Sequence, residues 1–139
     1  MEFIVQNAIR QAQENSQFKD IVVGQANIKV VGIGGAGGNM TTWLYKKGIK
    51  GAEIVAINTD KQHLDIHEAD KKVLIGRDLT KGLGAGGYPQ VGSQAANENL
   101  QDIRDGLRGA DMIFICAGMG GGTGTGAAPV VAKIAKEMK

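Results

Sequence analysis

A single cysteine, Cys116, in 139 residues excludes an internal disulfide. No disulfide framework can hold this fold, and a reducing compartment suits it. No apolar stretch reaches the roughly 18 residues a membrane span requires. The opening "MEFIVQNAIRQAQENS" has an acidic second residue and only a short apolar run, unlike a secretory signal. Charge of one sign is also scarce, with 16 basic against 14 acidic residues, a net charge of +2 and 4% aromatics. Without a long basic run, nucleic acid is not an expected partner. The lysine-bearing phosphate loop G-x-x-x-x-G-K-[ST] is missing as well. Any phosphate would be held by backbone, hydroxyls and a cation rather than by that lysine.

Glycine is what the chain has in excess: 22 of 139 residues, roughly double the usual share of about 7%. No Gly-X-Y period runs through it, so collagen is excluded. The glycines cluster at 32–38, 82–87 and 118–126, with periodic apolar segments between. Such clustering marks loops where backbone must approach something closely. With 42% hydrophobic residues, the chain can bury the core of one modest domain.

The apolar pattern predicts a helix over 3–15, with Val5, Ile9 and Ala12 on one side. Residues 18–27 read as a linker or a short strand. Strands are expected at 28–34, 52–60, 71–76 and 111–118, each a near-continuous apolar or β-branched run. Helices are expected at 39–48, with Met40, Trp43, Leu44 and Lys47 on one side and Gly48 as the stop, and at 93–109, with Ala96, Leu100, Ile103 and Leu107 as the stripe. A last helix is expected at 128–139, with Pro129 in its first turn and Val130, Ile134 and Met138 apolar. Nothing in the sequence stops that helix, so the chain reads as truncated after the fourth strand and its helix. Alternation of buried strands with helices predicts an α/β fold: a three-layer, Rossmann-like parallel sheet with helices on both faces. Ligands in such sheets bind beyond the carboxyl ends of the strands, and the glycine clusters fall there.

Two clusters carry chemistry. In "GIGGAGGN", 32–39, Gly32, Gly34 and Gly37 satisfy G-x-G-x-x-G between a strand and a helix. Bare backbone lets N–H groups reach phosphate oxygens, and a helix start presents about half a positive charge. "GMGGGTGTGAAP", 118–129, also joins a strand to a helix and adds the hydroxyls of Thr123 and Thr125. Two helix starts on one sheet edge can converge on a single polyanion. Hydrogen bonds to charged groups contribute about 1.5–3 kcal/mol each, so five or six supply on the order of 10 kcal/mol before ordering costs.

"GGAGGN" at 34–39, "NTD" at 58–60, "GLGAGGYP" at 82–89 and "GGGTGTG" at 120–126 together resemble the successive nucleotide loops of FtsZ, the prokaryotic tubulin homologue of the cell-division ring. The resemblance runs from about Ile28 to the end. It implies a GTP or GDP site with magnesium bound alongside the nucleotide, and no direct protein ligand to the metal. Gly35, Ala36, Gly37, Gly38 and Asn39 would line the phosphates from one helix start. Gly121, Gly122, Thr123, Gly124 and Thr125 would hold the α- and β-phosphates from the other. Ala85, Gly86 and Gly87 would face the γ-phosphate, with Asn58 and Asp60 near the phosphates and the magnesium water shell. The resemblance also implies head-to-tail self-assembly, membrane-tethering division proteins as partners through other regions, and a cytoplasmic location at the division site without direct membrane insertion. Residues 1–27 would be an N-terminal helical extension and linker, and 28–139 a partial GTP-binding domain.

The family reads guanine partly through a long central helix and supplies acidic catalytic residues from a later loop. Neither occurs in this sequence, nor does the family's C-terminal domain. No catalytic residue is therefore expected in this chain, which could accept a neighbour's catalytic loop but hydrolyse little alone. The alternative is an NAD-binding Rossmann oxidoreductase domain, since Asp60 lies about 23 residues beyond Gly37 at the end of strand two. A non-catalytic regulator that kept the nucleotide fold is a third reading. Blander readings apply elsewhere. His63 and His67 fall short of the three or four protein ligands a zinc site uses. Asp102, Arg104, Asp105 and Arg108 read as a solvated face, Cys116 as a small core residue, and Trp43 as packing.

Overall fold

The computed structural model describes residues 1–16 and 24–139. Part of the expected linker or strand at 18–27 thus lies outside the described residues. In chain order the elements are α1 (Glu2–Ser16), β1 (Ile28–Ile33), α2 (Gly34–Lys46), β2 (Ala52–Asn58), α3 (Lys61–Ile66), β3 (Lys71–Leu74), α4 (Arg77–Thr80), α5 (Pro89–Glu98), α6 (Leu100–Leu107), β4 (Met112–Ala117) and α7 (Thr123–Met138). The strands form one sheet in the order β3-β2-β1-β4, and every pairing is parallel. The chain steps outward from β1 through β2 to β3, then returns to place β4 on the other side of β1. That reversal is the topological switch point of an open α/β sheet.

β-branched residues at alternate positions build the larger core. Val31, Ile33, Val55, Ile57 and Ile75 pack against Ala95, Ala96, Ile103, Leu107, Val131 and Ile134 of α5, α6 and α7. The other face is covered differently. Beyond Gly34, α2 buries Gly37, Gly38 and Thr41, and Gly32 of β1 lies directly beneath. A Cβ at Gly32 would meet the Thr41 hydroxyl and the Gly37 carbonyl oxygen, and one at Gly37 would meet the Cys116 carbonyl oxygen. The helix sits on the sheet backbone to backbone.

The strand expectations hold to within a residue or two at their ends. The helices differ more. α2 begins at Gly34 rather than 39, because the glycines themselves form the first turn. The expected apolar side of α2 points outward: Met40 is 54% and Trp43 60% exposed. Trp43 carries the Lys47 ammonium 5.0 Å from its ring centre, so it is a surface side chain and not packing. α7 begins at Thr123 rather than 128, which puts Pro129 inside the helix instead of in its first turn. The expected helix at 93–109 is two helices meeting at Asn99. The Asn99 side chain accepts from the Gly76 N–H and donates to Asp102, which draws it away from regular helical geometry. α3 and α4 were not expected. α3 buries only Leu64 and has no apolar stripe to announce it, although a parallel β2–β3 pair requires a crossover. In α1, Val5 and Ile9 share one side as expected, but both are 53% exposed.

At the amino-terminal ends of the strands the buried Lys29 ammonium donates to the Gly106 carbonyl and pairs with Glu53 at 2.8 Å. Lys71 pairs with the other oxygen of Glu53 at 3.1 Å. The Lys29 hydrogen bond, with Lys71 beside it, holds the Glu53 carboxyl below its ordinary value against the opposing effect of burial. A cleft of about 360 Å³ opens here. Lys29, Glu53 and Lys71 in its lining are paired with one another. Asp105 and Arg108 form an exposed ion pair, as does Arg104 with Glu137, which fits a solvated face. Cys116 is half-buried.

Candidate functional site

The carboxyl ends of β1 and β4 turn directly into α2 and α7, and these junctions share one cavity of about 250 Å³. Its walls are Ile33, Gly34, Gly35 and Ala36 from the first junction. Gly118, Met119, Gly121, Gly122, Thr123 and Gly124 come from the second. The junctions touch: a Cβ at Gly34 would lie 3.0 Å from the Gly124 nitrogen, and one at Gly118 would lie 2.6 Å from Ala36 Cβ. Gly34 has φ +74°, a conformation that side chains disfavour. The first N–H groups of a helix have no intrahelical acceptor, and neither α2 nor α7 has a side-chain cap among the described residues. Both helix starts, each without a side-chain cap and each presenting the positive end of its helix, therefore line a common space.

The third glycine segment closes on the second. Ala85 is buried, and a Cβ at Gly122 would meet Ala85 Cβ at 2.9 Å and the Tyr88 nitrogen at 2.8 Å. Gly86 and Gly87, with φ 61° and 79°, are exposed at the loop tip. Asn58 Oδ1 accepts from the N–H groups of Thr59 and Asp60. Its Nδ2 is buried and without a partner among the described residues. Asp60 caps α3 by accepting from the His63 N–H at 3.0 Å and bridges to Leu83. That capping is the turn-residue role expected of an Asp at a strand end.

Of the expected site residues, Gly35, Ala36, Gly121, Gly122, Thr123 and Gly124 line the shared cavity. Gly37 and Gly38 are buried behind it against Cys116 and His67. Asn39 is exposed on α2 and bonded to His67. Asn58, Asp60, Ala85, Gly86 and Gly87 are not part of the cavity wall, although the Ala85–Gly87 loop touches Gly122, and Thr125 Oγ accepts from the Gly120 N–H.

Sequence reasoning missed Thr59, which lies inside the quoted "NTD" but offers no pattern of its own. It is fully buried, and its hydroxyl meets that of Thr123 at 2.7 Å. The Thr123 hydroxyl thus ties the end of β2 to the start of α7. Replacing Thr59 with Val leaves one buried hydroxyl without that partner, and unfolding followed by circular dichroism should show a loss of about 1–3 kcal/mol. The Thr59→Val/Thr123→Val pair should lose less than the sum of the two single changes.

The model of the Tubulin/FtsZ family GTPase domain matches residues 27–139. The chain is 54% identical over 134 residues to cell division protein FtsZ 2 of Methanocaldococcus jannaschii, covering 96% of this chain and 35% of that protein. Among solved structures, an FtsZ dimer from M. jannaschii superposes with TM-score 0.80 at 50% identity, over 93% of this chain and 37% of that one. A GTPγS-bound protofilament of CetZ2 from Haloferax volcanii gives 0.72 at 32% identity, over 81% and 36%. The chain spans about a third of the length of the curated relatives it matches. The alternative, an NAD-binding oxidoreductase domain, finds no support in these similarities.

Proposed function

Given that the chain belongs to the Tubulin/FtsZ family, we propose that it holds the phosphates of a guanine nucleotide between the starts of α2 and α7. One observation carries this reading: two uncapped, glycine-built helix starts line the same cavity at the switch point of the sheet. The cavity is smaller than the roughly 300–1,000 Å³ of sites that engulf a whole small molecule, and its size suits a phosphoryl chain. Gly34, Gly35 and Ala36 would donate from one side and Gly121 to Gly124 from the other. Asn58 Nδ2 would add a buried donor. The loop at Ala85 to Gly87 touches Gly122, so it is placed to respond to whether a terminal phosphate is present. When bound, the nucleotide would supply a phosphoric anhydride whose charge magnesium screens, and Asp60 would stand near the metal's water shell. The protein's part is to orient that chain with donors fixed in advance.

In this reading residues 28–139 are the phosphate-holding part of a GTP-binding domain, and 1–27 are an extension and linker. The parent GTPase acts in cell division, assembling head-to-tail so that the contact propagates as a filament. Hydrolysis occurs when a neighbour supplies the catalytic loop, and membrane-tethering division proteins bring the assembly to the cytoplasmic division site. No helix among the described residues is long and apolar enough to cross a membrane. Exposed Leu83, Tyr88 and Met119 lie on the loops that ring the cavity, where an adjoining subunit would cover them.

Titration calorimetry with magnesium and GTP, GDP, ATP or NAD tests the assignment. GTP and GDP should bind and NAD should not. Preference for NAD, or no binding of any nucleotide, overturns it.

A further inference from the structure

His67 stands outside the nucleotide motifs, yet it is 3% exposed and pressed against α2. A Cβ at Gly38 would collide with its ring, so the imidazole fills the notch that this glycine leaves. Its Nε2 lies 3.2 Å from Asn39 Oδ1. An amide oxygen only accepts, so Nε2 carries the proton and Nδ1 presents a bare lone pair. That Nδ1 is buried and has no partner among the described residues. The next residue fastens the same segment: the Glu68 N–H donates to Thr42 Oγ at 3.0 Å. Through Asn39 and Thr42 the end of α3 is latched to α2, the helix whose start lines the cavity.

We propose that His67 is a positioning residue for the nucleotide site, holding the Asn39 amide by its oxygen so that its NH2 group is free to donate to bound ligand, and seating the first turns of α2 through the Gly38 notch. The proposal rests on the nucleotide reading above. It predicts a dependence on proton concentration, because a second proton must go to Nδ1, where nothing receives it. The groups around the ring mostly oppose that proton. Burial pushes the His67 pKa down first, then the His63 ring 5.4 Å away and the Lys72 ammonium, while Asp60 alone works the other way. Tyr45, Asp65 and Glu68 border the cleft beside it. The neutral form therefore persists throughout the range above the ordinary histidine value of 6.5. As pH falls through the lowered value, Nε2 keeps its proton but the ring gains a buried charge and an Nδ1–H with no acceptor among the described residues, which disfavours its seat in the Gly38 notch.

The test is GDP–magnesium affinity of the full chain between pH 5 and 8, for wild type, His67→Gln, His67→Ala and His63→Gln. Gln donates through an amide and does not titrate. Wild type should weaken as pH falls below 6.5, where the histidine takes up its second proton at a lowered pKa. His63→Gln should keep the acidic fall but move it to higher pH, because one of the groups opposing the His67 proton is gone. His67→Gln should bind as wild type does at pH 7.5 and lose the acidic fall relative to it, which separates His67 from protonation of the nucleotide itself. His67→Ala should weaken five- to tenfold at every pH, roughly one lost hydrogen bond. Nitrogen chemical shifts in the wild type should report an Nε2-protonated ring. Binding that ignores every His67 change, or an Nδ1-protonated ring, overturns the proposal alone. Absence of nucleotide binding by wild type overturns the nucleotide reading and this proposal together.

Discussion

Gly126→Ala should be strongly destabilising, since its added methyl meets the closest obstacle of any described glycine. Gly126 lies in the first turns of α7, where it faces the start of α5. A Cβ there would run into the Pro89 carbonyl oxygen and come within 2.7 Å of the Ser93 nitrogen. Both obstacles are main chain, so no rotamer change relieves the overlap and the two helices must part. Overpacking a close interior contact costs about 1–3 kcal/mol, occasionally more, and a backbone clash belongs at the upper end. A loss of about 3 kcal/mol lowers Tm by roughly 10 °C in a domain of this size. Gly121→Ala is the control: an added Cβ there meets nothing within 4 Å among the described residues, and its φ is not positive. It should leave Tm within a degree or so. Equal melting of the two variants would show that α5 and α7 are not packed as described.

Gly34→Ala should have the largest effect on ligand binding. The new methyl would press on Gly124 N at 3.0 Å and on Thr123 Cβ at 3.4 Å, from a residue whose φ is +74°. It wedges apart the two helix starts that face each other across the cavity. If each start contributes one charge-assisted hydrogen bond of about 1.5 kcal/mol that the displacement breaks, affinity for GDP falls on the order of a hundredfold. The strain of a left-handed alanine costs only about 1–2 kcal/mol of stability, so folded protein remains to be assayed. Calorimetry on the folded variant decides: affinity within threefold of wild type would mean that the junctions do not grip one ligand together.

These glycines also explain how much of the molecule could be read in advance. The parallel sheet was legible because Val30, Val31, Ile54, Val55 and their neighbours form apolar runs that only a covered strand needs. The two phosphate-facing junctions were legible because glycine after a strand signals close approach. Helix starts were not, since a glycine-rich first turn has no apolar period, and so α2 and α7 each begin five residues earlier than expected. Helix orientation was harder still. Ordinary amphipathic reasoning puts Met40 and Trp43 inward, whereas α2 turns its smallest residues to the sheet. Asn99 broke an otherwise continuous stripe through a side-chain bond to Gly76, a partner distant in sequence. Thr59 and His67 act through single long-range contacts, Thr59 with Thr123 and His67 with Asn39, which no spacing rule encodes.

The outward placement of Trp43 has a practical corollary for every measurement above. It is the sole indole in the chain, already 60% exposed and paired with the Lys47 ammonium in the native state. Its emission should sit near the wavelength of a hydrated indole before any denaturant is added and shift little afterwards. A flat fluorescence trace would therefore say nothing about cooperativity, and a red-shifted native spectrum should not be mistaken for a loosened fold.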